Sequence, residues 1–141
     1  MIQRKQTLWL LFAAIAALLT LKFPFYTGNT IKDTVTGIKS FEQLNARFDI
    51  LITILSVAIG VAALITIFLY SDRKKQILFT AINCVVSIVV IVLYYLQTKK
   101  FVDGAYSITS ILVLAVPVLL IMAIVGINKD EKLIKSVDRL R

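Results

Sequence analysis

The chain has 141 residues, 59% of them hydrophobic, with a mean hydropathy of +0.88 and a net charge of +8 from 16 Lys and Arg against 8 Asp and Glu. A water-soluble sphere of this size cannot hide so much apolar side chain, so the bilayer must serve as solvent; basic residues flanking apolar runs then point to lipid headgroups rather than nucleic acid. The single cysteine, Cys84, precludes an intramolecular disulfide, and the absence of His removes the usual zinc ligand sets and any Ser-His hydrolytic pair, so no cofactor or metal is expected.

Thr7 to Leu21 follows Arg4 and Lys5 and has the outline of a secretory signal. The stretch Thr20-Leu21-Lys22-Phe23-Pro24 holds no small-x-small cleavage site, however, and the later spans need an orientation set for them. The expectation is an uncleaved first span over about 7–23, with Lys22 snorkelling and Pro24 ending the helix. Residues 24–49 form an outward loop, in which TGNTIKDTVTG reads as a short hairpin or an irregular segment. Ser40-Phe41-Glu42-Gln43 matches a capping box, and Phe41, Leu44, Phe48, Leu51 and Leu55 recur at helical spacing. A second helix is therefore predicted to begin near Ser40, outside the membrane, and to run into the next span.

That span, Ile50 to Tyr70, is 21 residues without a charge, an amide or a proline. It is long enough at about 1.5 Å per residue to cross roughly 30 Å of hydrocarbon. Its thirteen Ile, Leu, Val and Phe residues favour insertion by about 4 to 8 kcal/mol. The five-residue link Ser71 to Lys75 forces an antiparallel third span over about 76–96. CVVSIVVIVLYYL within it is rich in β-branched residues, but the span is twice the length of a barrel strand. Gln97 to Ala105 leads to a fourth span over about 106–127. The predicted fold is an all-α membrane protein, a single domain over 1–141 built as an antiparallel bundle of four transmembrane helices with a short C-terminal amphipathic helix.

Four spans return both termini to one side. Arg4, Lys5, Arg73, Lys74, Lys75, Lys129, Lys132, Lys135, Arg139 and Arg141 share that side, against six basic residues on the other, so both ends are expected in the cytoplasm. Trp9, Tyr70 and Phe79 then lie near the inner interface, and Phe23, Phe25, Tyr26, Tyr94, Tyr95, Phe101 and Tyr106 form an outer aromatic belt. In the tail, 128–141, Asn128 is placed as an N-cap, and Leu133, Ile134, Val137 and Leu140 fall on one face. This helix either lies on the membrane or docks a cytosolic partner through Leu133, Val137, Arg139 and Arg141.

Within the bilayer the polar inventory is small, since all eight carboxylates fall in connections or tails. No intramembrane proton relay of the usual kind is expected. Asn83 is the one amide well inside the third span, with Thr80 and Ser87 on the same helical face. It either makes an interhelical hydrogen bond worth about 0.6 to 2 kcal/mol or, with Ser56, lines a cleft. Ala13, Ala14, Ala16 and Ala17 in the first span, and Ser56, Gly60 and Ala63 in the second, predict close contact between these helices, within one chain or between two. Cys84 is read as packing, and Pro117 should free the carbonyl of Val113 and kink the fourth helix.

MIQRKQTLWLLFAAIAALL at the start and KDEKLIKSVDRLR at the end, with four spans between, resemble a bacterial family of small four-span inner-membrane proteins described as a domain of unknown function. The resemblance covers the whole chain and implies no catalytic residue. Some similar sequences carry the label of transcription termination factor Rho, but Gly37-Ile38-Lys39-Ser40 breaks the Gly-Lys-Ser adjacency that a phosphate-cradling loop requires. Quinone-linked disulfide oxidoreductases need Cys-x-x-Cys pairs and small multidrug exporters an acidic residue in the first span; both are missing. The expected function is a non-catalytic accessory or scaffold protein of the bacterial cytoplasmic membrane. It would bind a membrane-protein partner or a second copy through lipid-facing small-residue surfaces, the outer loop or the tail. The alternative is a small oligomeric transporter or channel with a cleft at Asn83.

Overall fold

The computed structural model describes residues 5–31 and 39–138. Four helices dominate: α1 (Lys5–Leu19), α2 (Ile50–Phe68), α3 (Arg73–Thr98) and α4 (Ile111–Asp138). Their main packing pairs are α1 with α2, α2 with α3, α3 with α4 and α4 with α1, so α1 and α3 stand diagonally in a square. Three segments are long and apolar enough to cross a membrane: Ile50–Ser71, Arg73–Thr98 and Ile108–Lys132. Large apolar side chains such as Ile54, Ile65, Leu78, Ile82, Val118 and Ile121 point outward, the reverse of a soluble bundle and the pattern expected where lipid is the solvent.

A sheet makes the fold more than all-α. Strands β1 (Tyr26–Ile31), β2 (Lys39–Leu44) and β3 (Asp103–Tyr106) pair antiparallel in the order β2-β1-β3 across one end of the bundle. The register sets Tyr26 opposite Leu44 on one side of β1, and Gly28 opposite Gly104 on the other. The capping-box expectation at Ser40 to Gln43 is thereby overturned. These residues alternate between exposed and covered positions down to the buried Leu44, because pairing with β1 over six residues satisfies the backbone groups on the side that faces β1. A cap would satisfy only one turn. Helix α2 starts instead after Asp49, whose carboxylate accepts from the Leu51 amide at 2.9 Å. The fourth span likewise begins later than Tyr106, which belongs to β3; a single 3-10 turn, Ile108–Ser110, leads into α4.

The first helix ends at Leu19, before the Pro24 expected to stop it, and is shorter than the other three. Pro24 acts from a distance, since it lacks the N–H that would continue the ladder to the carbonyl of Thr20. That carbonyl accepts instead from the Ala46 amide at 3.0 Å, and the Thr20 hydroxyl turns back to the carbonyl of Ala17 at 2.7 Å. The separate tail helix is also corrected. Helix α4 runs unbroken to Asp138, and Asn128 lies inside it. Nothing in GINKDEKLIKS is a strong helix breaker except Gly126. That glycine lies inside the helix and lets α1 pass close by: an added Cβ would stand 3.3 Å from Cβ of Gln6. Of the proposed docking residues, Arg139, Arg141 and the side chains of Leu133 and Val137 lie outside the described residues, as does the Met1 to Arg4 opening.

Part of the outer aromatic belt is a plug, while Phe23, Tyr95 and Tyr106 are exposed. Phe25, Tyr94 and Phe101 are buried where the sheet meets the bundle. Phe25 lies 4.8 Å from Tyr94 and 5.7 Å from Tyr106, Tyr26 lies 5.3 Å from Phe101, and Phe48 lies 5.9 Å from Phe101. Tyr95 and Phe23 remain outward. Edge-to-face pairs such as Tyr26 with Tyr106, at 5.1 Å and 80°, fix the sheet on the helices. At the opposite end, Asp72 caps α3 through the Lys75 amide at 3.3 Å and pairs with the Lys75 ammonium at 3.1 Å. The Lys75 hydrogen bond holds the carboxyl below its ordinary 3.8. A depressed acid stabilises the fold above its unfolded pKa and loses that contribution as pH falls through the folded one. Melting in detergent should therefore weaken on acidification below about pH 4, and Asp72→Asn, which still caps, should flatten this part of the profile.

Candidate functional site

The inward face of α3 is polar along most of its length. Gln76, Thr80, Asn83, Ser87, Val90 and Tyr94 follow one another at intervals of four and three residues, and all are buried. This a/d spacing is the seam of a helix packed in a bundle, here carrying amides and hydroxyls in place of leucines. Most of these groups are turned onto backbone. Asn83 Nδ2 donates to the carbonyl of Ile59 on α2 at 3.1 Å, and Gln76 Nε2 to that of Thr66 at 3.1 Å. Thr80 and Ser87 donate within α3 to Gln76 and Cys84, each at 2.7 Å. Cys84 points its thiol at the carbonyl of Pro117 on α4, 3.9 Å away, a weak contact.

Six buried side chains in or near this seam decide what it can do. Ser56 and Ser87, with Thr20 from the turn after α1, contribute to a small gap of about 10 Å³ between the helices, lined otherwise by the apolar Ala17, Ile59, Val90, Val113 and Val116. The Tyr94 ring is fully buried, and its hydroxyl meets no hydrogen-bond partner among the described residues. At the end away from the sheet, Gln6 and Gln76 are both buried, and the Oε1 of each is likewise without a partner among the described residues. Every buried polar side chain among the described residues is uncharged, and no group of three or more His, Cys, Asp or Glu there could hold a metal ion.

The sequence-predicted cleft residues thus separate. Ser56 and Ser87 line the gap, whereas Asn83 and Thr80 are engaged with backbone carbonyls. Gly60 serves close approach: an added Cβ would lie 3.0 Å from the Leu18 side chain of α1. With Ala13, Ala14, Ala16, Ala17, Ser56 and Ala63 also buried, the small-residue faces are consumed inside the bundle of one chain, where α1 packs on both α2 and α4. Lipid-facing small-residue surfaces for a partner are therefore not what these residues form. Gln76 and Tyr94 were missed as seam members, although extending the Thr80, Asn83, Ser87 spacing in both directions reaches them.

Two substitutions along the seam should differ in sign. Asn83→Leu removes a bond between α2 and α3 and should cost about 0.6 to 2 kcal/mol. Gln76→Leu should be neutral or stabilising, because the Thr66 carbonyl keeps the Leu69 amide as donor and a buried, unpartnered acceptor disappears. Denaturation of the two variants in one detergent compares them directly, and equal losses would contradict the assignment.

Residues 2–140 match a family described as a domain of unknown function, DUF4293. The chain belongs to this family. No curated protein and no solved structure matches it. For this DUF4293 chain the geometry of its own interior is consequently the guide to its role.

Proposed function

We propose that this DUF4293 protein is a non-catalytic accessory or scaffold protein crossing the bacterial cytoplasmic membrane four times, with both termini in the cytoplasm and the sheet outside. The observation that carries this reading is how small and apolar the gap between the helices at Ser56 and Ser87 is: at about 10 Å³ it has room for little more than one water. The polar seam beside it is directed mainly at backbone carbonyls. Support for the fourth crossing comes from how α1 lies along α4. Gln6 abuts Gly126 at one end, and the carbonyl of Pro24, just after α1, accepts from Thr109 at the other. The intervening stretch of α4 rises about 25 Å at 1.5 Å per residue. Since the small residues are spent inside, the surfaces left for a partner are the sheet end and the C-terminal end.

A second reading, a small oligomeric transporter, draws on the uncharged polar face of α3 turned toward the bundle axis. Reconstitution into sealed vesicles separates the two. The scaffold reading expects no flux of ions or small polar solutes above empty vesicles, and flux abolished in a folded Asn83→Leu protein would favour transport. Orientation is tested by reporter fusions after Arg141 and within Thr27 to Lys39, which should report opposite compartments; a cytoplasmic signal from the loop overturns it.

A further inference from the structure

At the end of the bundle away from the sheet, two buried acceptors converge on the axis without a donor. Gln6 on α1 and Gln76 on α3 are 2% and 1% exposed, and the Oε1 of each has no hydrogen-bond partner among the described residues. They lie at one depth. Cys84 on α3 stands level with Pro117 on α4, its thiol 3.9 Å from that carbonyl, and equal steps toward this end lead from Cys84 to Gln76 and from Pro117 to Val125. Gln6 packs on the next residue of α4, Gly126. Since α1 and α3 stand diagonally, the two buried side chains approach the axis from opposite sides. The nearby hydroxyls are already committed: those of Thr66 and Thr80 donate to the carbonyls of Ala62 and Gln76, each at 2.7 Å, and Gln76 Nε2 donates to the Thr66 carbonyl at 3.1 Å. Arg73, one turn further out on α3, likewise leaves a buried Nη1 without an acceptor among the described residues. A buried polar group without a partner is costly, and contact with water removes that cost.

The two ends of α1 are held differently. At the sheet end the Thr20 carbonyl accepts from the Ala46 amide at 3.0 Å, the Pro24 carbonyl accepts from the Thr109 hydroxyl, and the Phe25 amide donates to the Leu44 carbonyl at 2.7 Å. These bonds tie the chain just after α1 to the segments leading into α2 and α4. Between Gln6 and Leu19, by contrast, no hydrogen bond joins α1 to another element among the described residues.

We propose that the bundle opens at this end: the first turns of α1 lean away from α4, hinged on the ties at the sheet, and water reaches the Oε1 atoms of Gln6 and Gln76. The sheet end stays shut, because its hydrogen bonds and aromatic plug hold the other ends of the helices together. Parting α1 from α4 uncovers little apolar surface near Gln6, where the facing residue is a glycine, while it hydrates two amides. The opening holds for a scaffold and for a transporter alike, since it requires water to enter from one end only.

Thiol accessibility in lipid nanodiscs, which leave both ends of the full-length protein open to solvent, tests it. In a Cys84→Ala background, Thr80→Cys places a thiol at a fully buried position one turn deeper than Gln76, and Val90→Cys places one at a buried position near the sheet. A charged, membrane-impermeant methanethiosulfonate should modify the first and leave the second at the level of the cysteine-free protein. Gln6→Leu combined with Gln76→Leu removes both unpartnered acceptors, so opening no longer relieves them, and modification at Thr80→Cys should slow at least ~10-fold. Circular dichroism qualifies each variant as folded. Ala123→Cys, fully buried on α4 at a similar depth, is read if Thr80→Cys does not fold, and Gln76→Leu alone if the double variant does not. A deep thiol no more reactive than the cysteine-free background, an unchanged rate in the leucine variant, or Val90→Cys modified as fast as Thr80→Cys overturns the proposal.

Discussion

Gly28→Val is expected to detach β3 from the sheet and cost about 3 kcal/mol or more, beyond the usual range for overpacking because nothing nearby can rotate aside. A Cβ at position 28 would overlap the backbone carbonyl oxygen of Asp103 and stand 2.8 Å from Cα of Gly104. Its partner in register, Gly104, is equally constrained: a Cβ there would lie 2.6 Å from the carbonyl oxygen of Thr27 and 2.5 Å from Cε1 of Tyr26. The two glycines face each other so that β1 and β3 can approach, with the Tyr26 ring covering the bare backbone. Once β3 lifts, Phe101 and Tyr106 lose their ring partners and the Val102 amide loses the Asn29 carbonyl, now 3.0 Å away. Amide hydrogen exchange over residues 102–106 should accelerate sharply while that of α2 changes little. Gly126→Ala is the control, since the nearest atom to its added Cβ is the Gln6 side chain at 3.3 Å. Unchanged exchange at residues 102–106 in Gly28→Val would mean that the strands do not pack as described.

The spans of α2, α3 and α4 were legible because each carries about twenty apolar residues, a signal that accumulates over its whole length. The sheet was not, for the opposite reason. β3 has four residues, and its partner β1 lies more than seventy positions earlier, so neither strand carries its own evidence. Ser40 to Gln43 shows how a local pattern loses to a distant one. The capping box is a short-range preference worth about 1 kcal/mol, whereas pairing with β1 over six residues engages the β1-facing row of backbone groups along the whole segment. The seam was half legible. Thr80, Asn83 and Ser87 stand out as polar residues in an apolar run, but Tyr94 sits near a span end, where composition alone suggests an interfacial aromatic. Only the sheet folded over that end explains why its ring turns inward. The boundary of α1 is set by contacts with Ala46, far away in sequence, and could not be read from the apolar run itself.

Tyr94→Ala should destabilise the protein by about 3–5 kcal/mol, the range for removing a large buried aromatic ring. The ring is fully buried, packs on Phe25 at 4.8 Å, and stands where the sheet closes over the four helices. Its loss opens a void under the sheet and withdraws support from Phe25, whose amide and carbonyl are tied to Leu44 and Ser107 at 2.7 and 3.1 Å. Damage should therefore spread into the sheet, with faster exchange in β1 as well as a lower melting temperature in detergent. Tyr94→Phe separates ring from hydroxyl. It keeps the packing and removes only a buried hydroxyl without a hydrogen-bond partner among the described residues, so it should be close to neutral. If the alanine and phenylalanine variants melted together, the ring would be carrying no packing energy, and the sheet would have to be held on the bundle by Tyr26, Phe48 and Phe101 alone.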